Sequence, residues 1–181
     1  MIGLCAIGDG MDAAHYSAVE ILRDGCKIDI CAFKPGDDDD LSAAVGRASP
    51  VSLYRRFFTV KRGFSEREKQ FFLNVDFVNH VALMVWTEEA GRRTIVGGGR
   101  YVVVQPGKAE VAFMVIDQCQ GRGIGGLVLR HLTRIAHAAG LATLIAEVLP
   151  ENTSMLKVFE KSGLPMTTDR DAEVVHVTLQ L

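Results

Sequence analysis

Residues 117–126, DQCQGRGIGG, join a run that reads as a buried strand (residues 110–116, EVAFMVI) to an amphipathic helix (residues 122–139). No other stretch limits the fold as much. Glycines let the main chain turn tightly and aim several amides at one point, and the following helix adds the positive end of its dipole. The result is an anion site suited to a phosphate or pyrophosphate. Read literally, Gly121, Gly123 and Gly126 satisfy the GxGxxG dinucleotide spacing, with Glu147 about 20 residues beyond. Two features oppose that reading. Asp117 to Gln120 separate the strand from the first glycine, and only 55 residues follow Gly126, too few for a dinucleotide fold's further β-α units. A tight turn packing helix on strand is the remaining alternative.

The flanking pattern predicts the architecture. Residues 27–33 read as a strand, and the acidic run 37–40 opens a helix through LSAAV, where aspartates cap free amides and suit the dipole. Calcium loops alternate their ligands around a glycine, so this run is not read as a metal site, and no metal is expected. Residues 50–58 and 65–73 read as helices, the second with Ser65 and Glu68 spaced as a capping box. Strands follow at 81–86, 94–104 and 110–116. Gly97, Gly98 and Gly99 inside the second of these imply close approach of another backbone or a ligand. The helical period of Ile124, Leu127, Val128, Leu132, Ile135 and Ala139 ends at Gly140. A strand (143–148), a helix (152–161) and a last strand (174–179) complete the chain. The expected class is α/β (α+β): a mixed central sheet with helices on both faces, in the order β-α-α-β-β-β-α-β-α-β. Residues 1–22 are expected to be a poorly ordered or loosely docked tail, and 23–181 a single domain.

Composition narrows the function. Twenty basic and 22 acidic residues give a net charge of -2, without the basic excess of a nucleic-acid binder. No apolar run approaches a bilayer span and no leader pattern is evident, so a cytoplasmic protein without membrane contact is expected. Cys5, Cys26, Cys31 and Cys119 show no CxxC or zinc-finger spacing and read as reduced thiols.

Gln120-x-x-Gly123-x-Gly125 is the Q/RxxGxG/A loop of the GCN5-related N-acetyltransferases, and the sequence resembles that family in context too. The segments LYRRFF (53–58), NVDFVNHVAL (74–83), AEVAFMV (109–115), QGRGIG (120–125) and ENTSMLKVFEKSG (151–163) resemble its protein-lysine acetyltransferase domains of the Pat type. The resemblance implies acetyl-CoA as cosubstrate, lying in a V between the strands at 110–116 and 143–148. Backbone groups at Met114, Val115 and Ile116 would pair with the pantetheine arm. Gln120, Gly121, Arg122, Gly123, Ile124, Gly125 and Gly126 would hold the pyrophosphate. Asn152 would contact the cofactor arm as well as cap its helix.

An attacking amine must shed a proton, which calls for a general base. Glu110 falls on the glutamate of the AExxF segment and is the one acid in an apolar strand, where burial would raise a carboxylate. A solvated residue at the strand's start is the alternative, and Glu147 is a weaker second base. Where many relatives place a proton-donating tyrosine, this chain has Phe159, so water must serve as the acid. His80 and His176 read as hydrogen-bonded structural residues. The basic stretch Tyr54-Arg55-Arg56 with Lys61 and Arg62 either steers an acidic protein surface or is a solvated face. The expected function is acetylation of a protein lysine, on a partner such as an AMP-forming acyl-CoA synthetase. A small-amine or polyamine acceptor, or an acyl-CoA sensor without turnover, is the alternative. Oligomeric state is not readable.

Overall fold

The computed structural model describes residues 11–61 and 65–181; Cys5 and Arg62, considered above, lie outside the described residues. In chain order the elements are β1 (Ser17–Ile21), β2 (Lys27–Ala32), α1 (Asp38–Gly46), α2 (Pro50–Phe57), α3 (Glu66–Leu73), β3 (His80–Glu89), β4 (Arg92–Gln105), β5 (Lys108–Val115), α4 (Ile124–Ala138), β6 (Thr143–Val148), α5 (Thr153–Glu160), β7 (Met166–Arg170) and β8 (Val175–Gln180). The strands form one sheet in the order β1-β2-β3-β4-β5-β6-β8-β7. Every adjacent pair is antiparallel except β5 with β6.

Alternation along β3 shows how the sheet is covered on both faces. Val81, Leu83 and Val85 join the larger core with Val128, Leu132 and Ile135 of α4. Ala82, Met84 and Trp86 point the other way, into a smaller core with Phe33, Ala44 and Ile95. A strand buried on both sides reads as a continuous apolar run, which VALMVW is. The expected mixed sheet with helices on both faces is therefore what the chain builds.

Two strands, β1 and β7, lie beyond the expected order, and the three helices before β3 fall where the acidic run and residues 50–58 and 65–73 predict them, one more than that order counts. The tail expectation is corrected at residues 17–21, which form β1 and pair with β2 from Ser17↔Cys31 to Ile21↔Lys27. Side chains also pin β1 to α4. Glu20 Oε1 accepts from Arg130 Nη2 at 2.6 Å and lies 2.9 Å from His131 Nε2, while the Tyr16 hydroxyl bonds His131 Nδ1. The Ser65–Glu68 capping box forms as expected. Asp37 differs: its carboxylate turns back to accept from the Lys34 amide at 2.9 Å and makes no cap bond to α1.

The three glycines of β4 sit where neighbouring backbone and core come too close for a side chain. A Cβ at Gly98 would lie 2.7 Å from the Leu83 carbonyl oxygen. At Gly99 it would lie 2.7 Å from Val128 Cγ1 and 2.8 Å from Phe113 Cβ. The seam between α4 and the sheet thus depends on that missing methyl. Gly99→Ala is expected to cost about 1–3 kcal/mol through overpacking, read as a lower midpoint in thermal unfolding. An unchanged midpoint would mean the seam can open to admit a methyl.

Candidate functional site

β5 and β6 pair for only three positions, Lys108↔Thr143, Ala109↔Leu144 and Glu110↔Ile145. Beyond them the strands part, and a cleft of about 1060 Å3 opens between them and the start of α4. The Phe113 ring of β5 and the Phe159 ring of α5 meet at 5.6 Å between centroids, filling the floor. Phe159 is 1% exposed. The residue that replaces the expected tyrosine is therefore a core side chain at the cleft wall.

The glycine-rich loop closes one end. Gly121 and Gly123 adopt φ of +75° and +89°, which a side chain would disfavour. The first loop-to-helix bond is from Leu127 N to Gly123 O. The six preceding amides, from Gly121 through Gly126, donate to no protein group among the described residues. They face a cavity edge where a Cβ at Gly126 would meet nothing within 4 Å. Six free N–H groups at the start of a 15-residue helix constitute an anion site. The lining adds charge of the same sense. Arg23, Arg55, Arg56, Arg122, Arg130, Arg134, Lys157 and Lys161 line the cleft against Asp24, Glu110 and Glu147. A protein of net charge -2 concentrates its cations here.

The structure brings most of the sequence-derived site together. Met114, Val115, Gln120, Gly121, Arg122, Gly123, Ile124, Gly125, Gly126 and Asn152 all line the cleft. Ile116 does not. The chain turns away after β5, so its amide donates to Val96 O, its carbonyl accepts from Cys119 N and its side chain is buried. Two others take part by backbone only. The Ile124 side chain is buried in the core, and Arg122 Nε is bound to Asp24 Oδ2 at 2.7 Å, which raises its pKa. Asn152 caps α5 through Oδ1 at 3.4 Å from Met155 N, and its Nδ2 has no partner among the described residues.

Glu110 stands at the fork of the two strands, yet it is exposed, so the burial expected of it is absent. Its strand neighbours Ala109 and Val111 face the core while Glu110 faces the cleft. Glu147 is 54% exposed and lies 3.7 Å from His176, its cross-strand partner. His80 is buried and hydrogen-bonded, as read from sequence. The thiols of Cys26, Cys31 and Cys119 are free.

Sequence reasoning missed the anchor of the loop. Asp117 accepts from Ser49 N at 2.8 Å, Ser49 Oγ at 2.7 Å and Ser52 Oγ at 2.9 Å. Gln120 Nε2 then donates to Ser52 Oγ and to Val115 O, each at 3.0 Å. The network fixes α2 against the loop, and with it Arg55 and Arg56. The only sequence signal was Ser49 before Pro50, which marks a helix start.

Comparison with known proteins agrees with this geometry. Residues 49–164 match the Acetyltransferase (GNAT) family. The chain is 31% identical over 132 residues to the acetyltransferase Pat of Mycolicibacterium smegmatis, covering 71% of this chain and 38% of that protein. It thus spans well under half the length of Pat. An acetyltransferase of Pseudomonas aeruginosa is 25% identical over 161 residues, covering 87% of each chain. The GNAT domain of S. lividans PAT superposes with a TM-score of 0.82 at 30% identity, over 91% of this chain and 97% of that one. An α/β fold with an anion-binding loop beside a split parallel strand pair defines an acyl-transfer enzyme. The chain belongs to the GNAT acetyltransferase family, and its acetyl donor is acetyl-CoA.

Burial pushes the Asp117 carboxyl up, but the bonds from Ser49 and Ser52 outweigh it and hold it below the usual carboxylate range. A depressed carboxylate stabilises the fold above the unfolded value near 3.9 and loses that contribution as pH falls through its folded value. Asp117→Asn is therefore expected to cost about 1–3 kcal/mol at neutral pH. It should also flatten the stability profile below about pH 4, measured by denaturant unfolding across pH.

Proposed function

We propose that the cleft transfers the acetyl group of acetyl-CoA to a lysine side chain of a protein, with Glu110 as general base. The row of six free amides beside the strand fork carries this reading, because donors suited to an anion and the Glu110 carboxylate line one cleft. Gly121 to Gly126 would hold the pyrophosphate. The unpaired edge of β5 at Met114 and Val115 would pair with the pantetheine arm, and Asn152 Nδ2 would donate to it. Similarity to Pat supports the protein-lysine acceptor, and an AMP-forming acyl-CoA synthetase is the partner that this type of domain implies.

The chemistry follows from those positions. Roughly one lysine in a few thousand is neutral at pH 7, so the amine must lose a proton to the exposed Glu110, directly or through water. The amine nitrogen then bonds the thioester carbon, and a backbone N–H steadies the oxyanion. The adduct's nitrogen sheds its second proton to water, and the C–S bond breaks as the adduct collapses to the amide. Phe159 has no proton to give, so the thiolate leaves as such and takes its proton from water.

Glu110→Gln is expected to lower kcat by about 10²–10⁴ while leaving acetyl-CoA affinity unchanged, as calorimetry and single-turnover assays would show. Unchanged turnover would remove Glu110 as base. Intact mass spectrometry of a synthetase incubated with protein and acetyl-CoA should show one acetyl added. Donor binding without any acetylated acceptor would favour a sensor instead. Gly126→Ala is a separate check on the anion site. Restoring a methyl in the first helical turn should raise stability by about 0.5–1 kcal/mol, yet it should weaken acetyl-CoA binding by crowding the amides.

A further inference from the structure

A second cavity of about 110 Å3 lies between α1, α2, α3 and the β4–β5 pair, sharing Arg56, Ala112, Phe113 and Met114 with the main cleft. Its charged lining is Arg56 of α2, Arg100 of β4, Lys69 of α3, which pairs with Glu66, and Asp38 at the start of α1. Arg100 is only 8% exposed. Its Nη1 lies 2.9 Å from His80 Nε2 and 3.5 Å from Phe72 O, and its plane sits over the Phe72 ring at 4.5 Å. The other ring nitrogen of His80 donates to Asn74 O at 3.0 Å, so the imidazole is neutral and accepts from Arg100.

Neither guanidinium is ion-paired among the described residues, although Glu110 acts on Arg56 at longer range. Arg47, Arg92, Arg122 and Arg130 each meet a carboxylate, whereas Arg56 and Arg100 make no ion pair among the described residues. Arg100 Nε and Nη2 also have no hydrogen-bond partner there. Burial lowers Arg100 to about 9, with Arg56 adding to the effect. It lowers Arg56 to about 10, against the pull of Glu110. Both remain charged at neutral pH. Two like charges close together, one of them buried and neither ion-paired, are unfavourable, and an anion between them would relieve that cost.

Register sets what such an anion belongs to. Arg100 lies opposite Ala112, and Glu110 opposite Val102, on the same face of the sheet. The Arg100 level is therefore one pleat repeat along and one strand across from Glu110, roughly 8 Å by strand spacing. An amine and a carboxylate separated by a few bonds would span that gap.

We propose that Arg56 and Arg100 form an anion subsite for the acceptor, so that the molecule acetylated is an amine that also carries a carboxylate. This rests on the acetyl-transfer reading of the cleft. The cavity holds several waters at about 10–15 Å3 each by the same measure, which suits a carboxyl-ended short chain. The carboxylate belongs either to a free amino acid or to an acidic residue beside the acceptor lysine. A polyamine is disfavoured, since it would bring more positive charge to two uncompensated cations.

The test is calorimetric titration of the CoA-loaded protein with product-like probes. One set is Nα-acetyl-L-amino acids against their C-terminal amides. The other is short Nε-acetyl-lysine peptides with Glu or Gln beside the lysine. The acid of a pair should bind at least tenfold tighter than its neutral partner, and whichever set shows this identifies the source. In Arg100→Met the ratio should fall toward one with CoA affinity unchanged; in Arg56→Met the ratio should fall likewise, with CoA affinity read alongside because Arg56 also lines the main cleft. Arg56 is only half-buried, so that variant stands if Arg100→Met fails to fold. No preference for the acid in either set overturns the subsite, as does a preference that survives both substitutions. CoA affinity of the wild type is read in the same experiment. Its absence would sink the transfer reading, whereas normal CoA binding without acid preference sinks only the subsite.

Discussion

Parallel pairing of β5 with β6 stops after Glu110 and Ile145, and most of what the molecule can do follows from that early stop. A parallel pair must be joined by a crossover, here α4, which leaves the carboxyl end of β5 and lies over the sheet. The helix N-terminus is thereby placed where the strands diverge, so free helix amides and a free strand edge border one cleft. In α/β sheets, ligands commonly sit at such carboxyl-end crevices. The parting is held by packing. Phe159 of α5 leans on Phe113 of β5, their ring centroids 5.6 Å apart.

The two sides of the cleft must also stay in register, and Asp117 ties them. It follows β5, precedes the glycine turns and takes three hydrogen bonds from the start of α2. That one carboxylate thus links the donor loop to the helix that carries Arg56 to the acceptor side. Arg122 makes the matching tie on the opposite flank, to Asp24 in the turn between β1 and β2. The glycines give the loop freedom to bend, and these flanking carboxylates fix the bend chosen.

Much of this was legible in the sequence because the central elements carry strong periodic signals. β6 and the caps of α3 and α5 fall where spacing placed them. The edges were not. β7 reads MTTDR and β1 reads SAVEI, short and half-exposed, so each is held mainly by backbone bonds that leave little apolar trace. Glu110 was found by its position, but its burial was inferred wrongly from apolar neighbours that face the other side of the strand. Ile116 was grouped with the cleft because the family resemblance runs the pantetheine edge through Met114 to Ile116, though the backbone turns after Val115. The Asp117 network and the Arg56–Arg100 pair join residues 44 or more positions apart, and no local spacing encodes them.

Charge placement then separates the two ends of the cleft by kind as well as by place. At the donor end, the positive potential comes from backbone amides and from arginines at the rim, in contact with solvent. Such sites respond to salt and suit a polyphosphate that arrives hydrated. At the proposed acceptor end Arg100 is a buried side chain with a neutral histidine as hydrogen-bond partner rather than a carboxylate, and Arg56 stands half-buried beside it. Salt screens them less, and an acceptor must shed water to reach them. A site built this way discriminates by the cost of leaving a buried charge unmatched, which rejects a neutral or cationic acceptor more strongly than surface attraction could select an anionic one. Glu110, exposed between the two ends, is left in contact with water, where in the proposed transfer a proton taken from the amine would pass on to solvent.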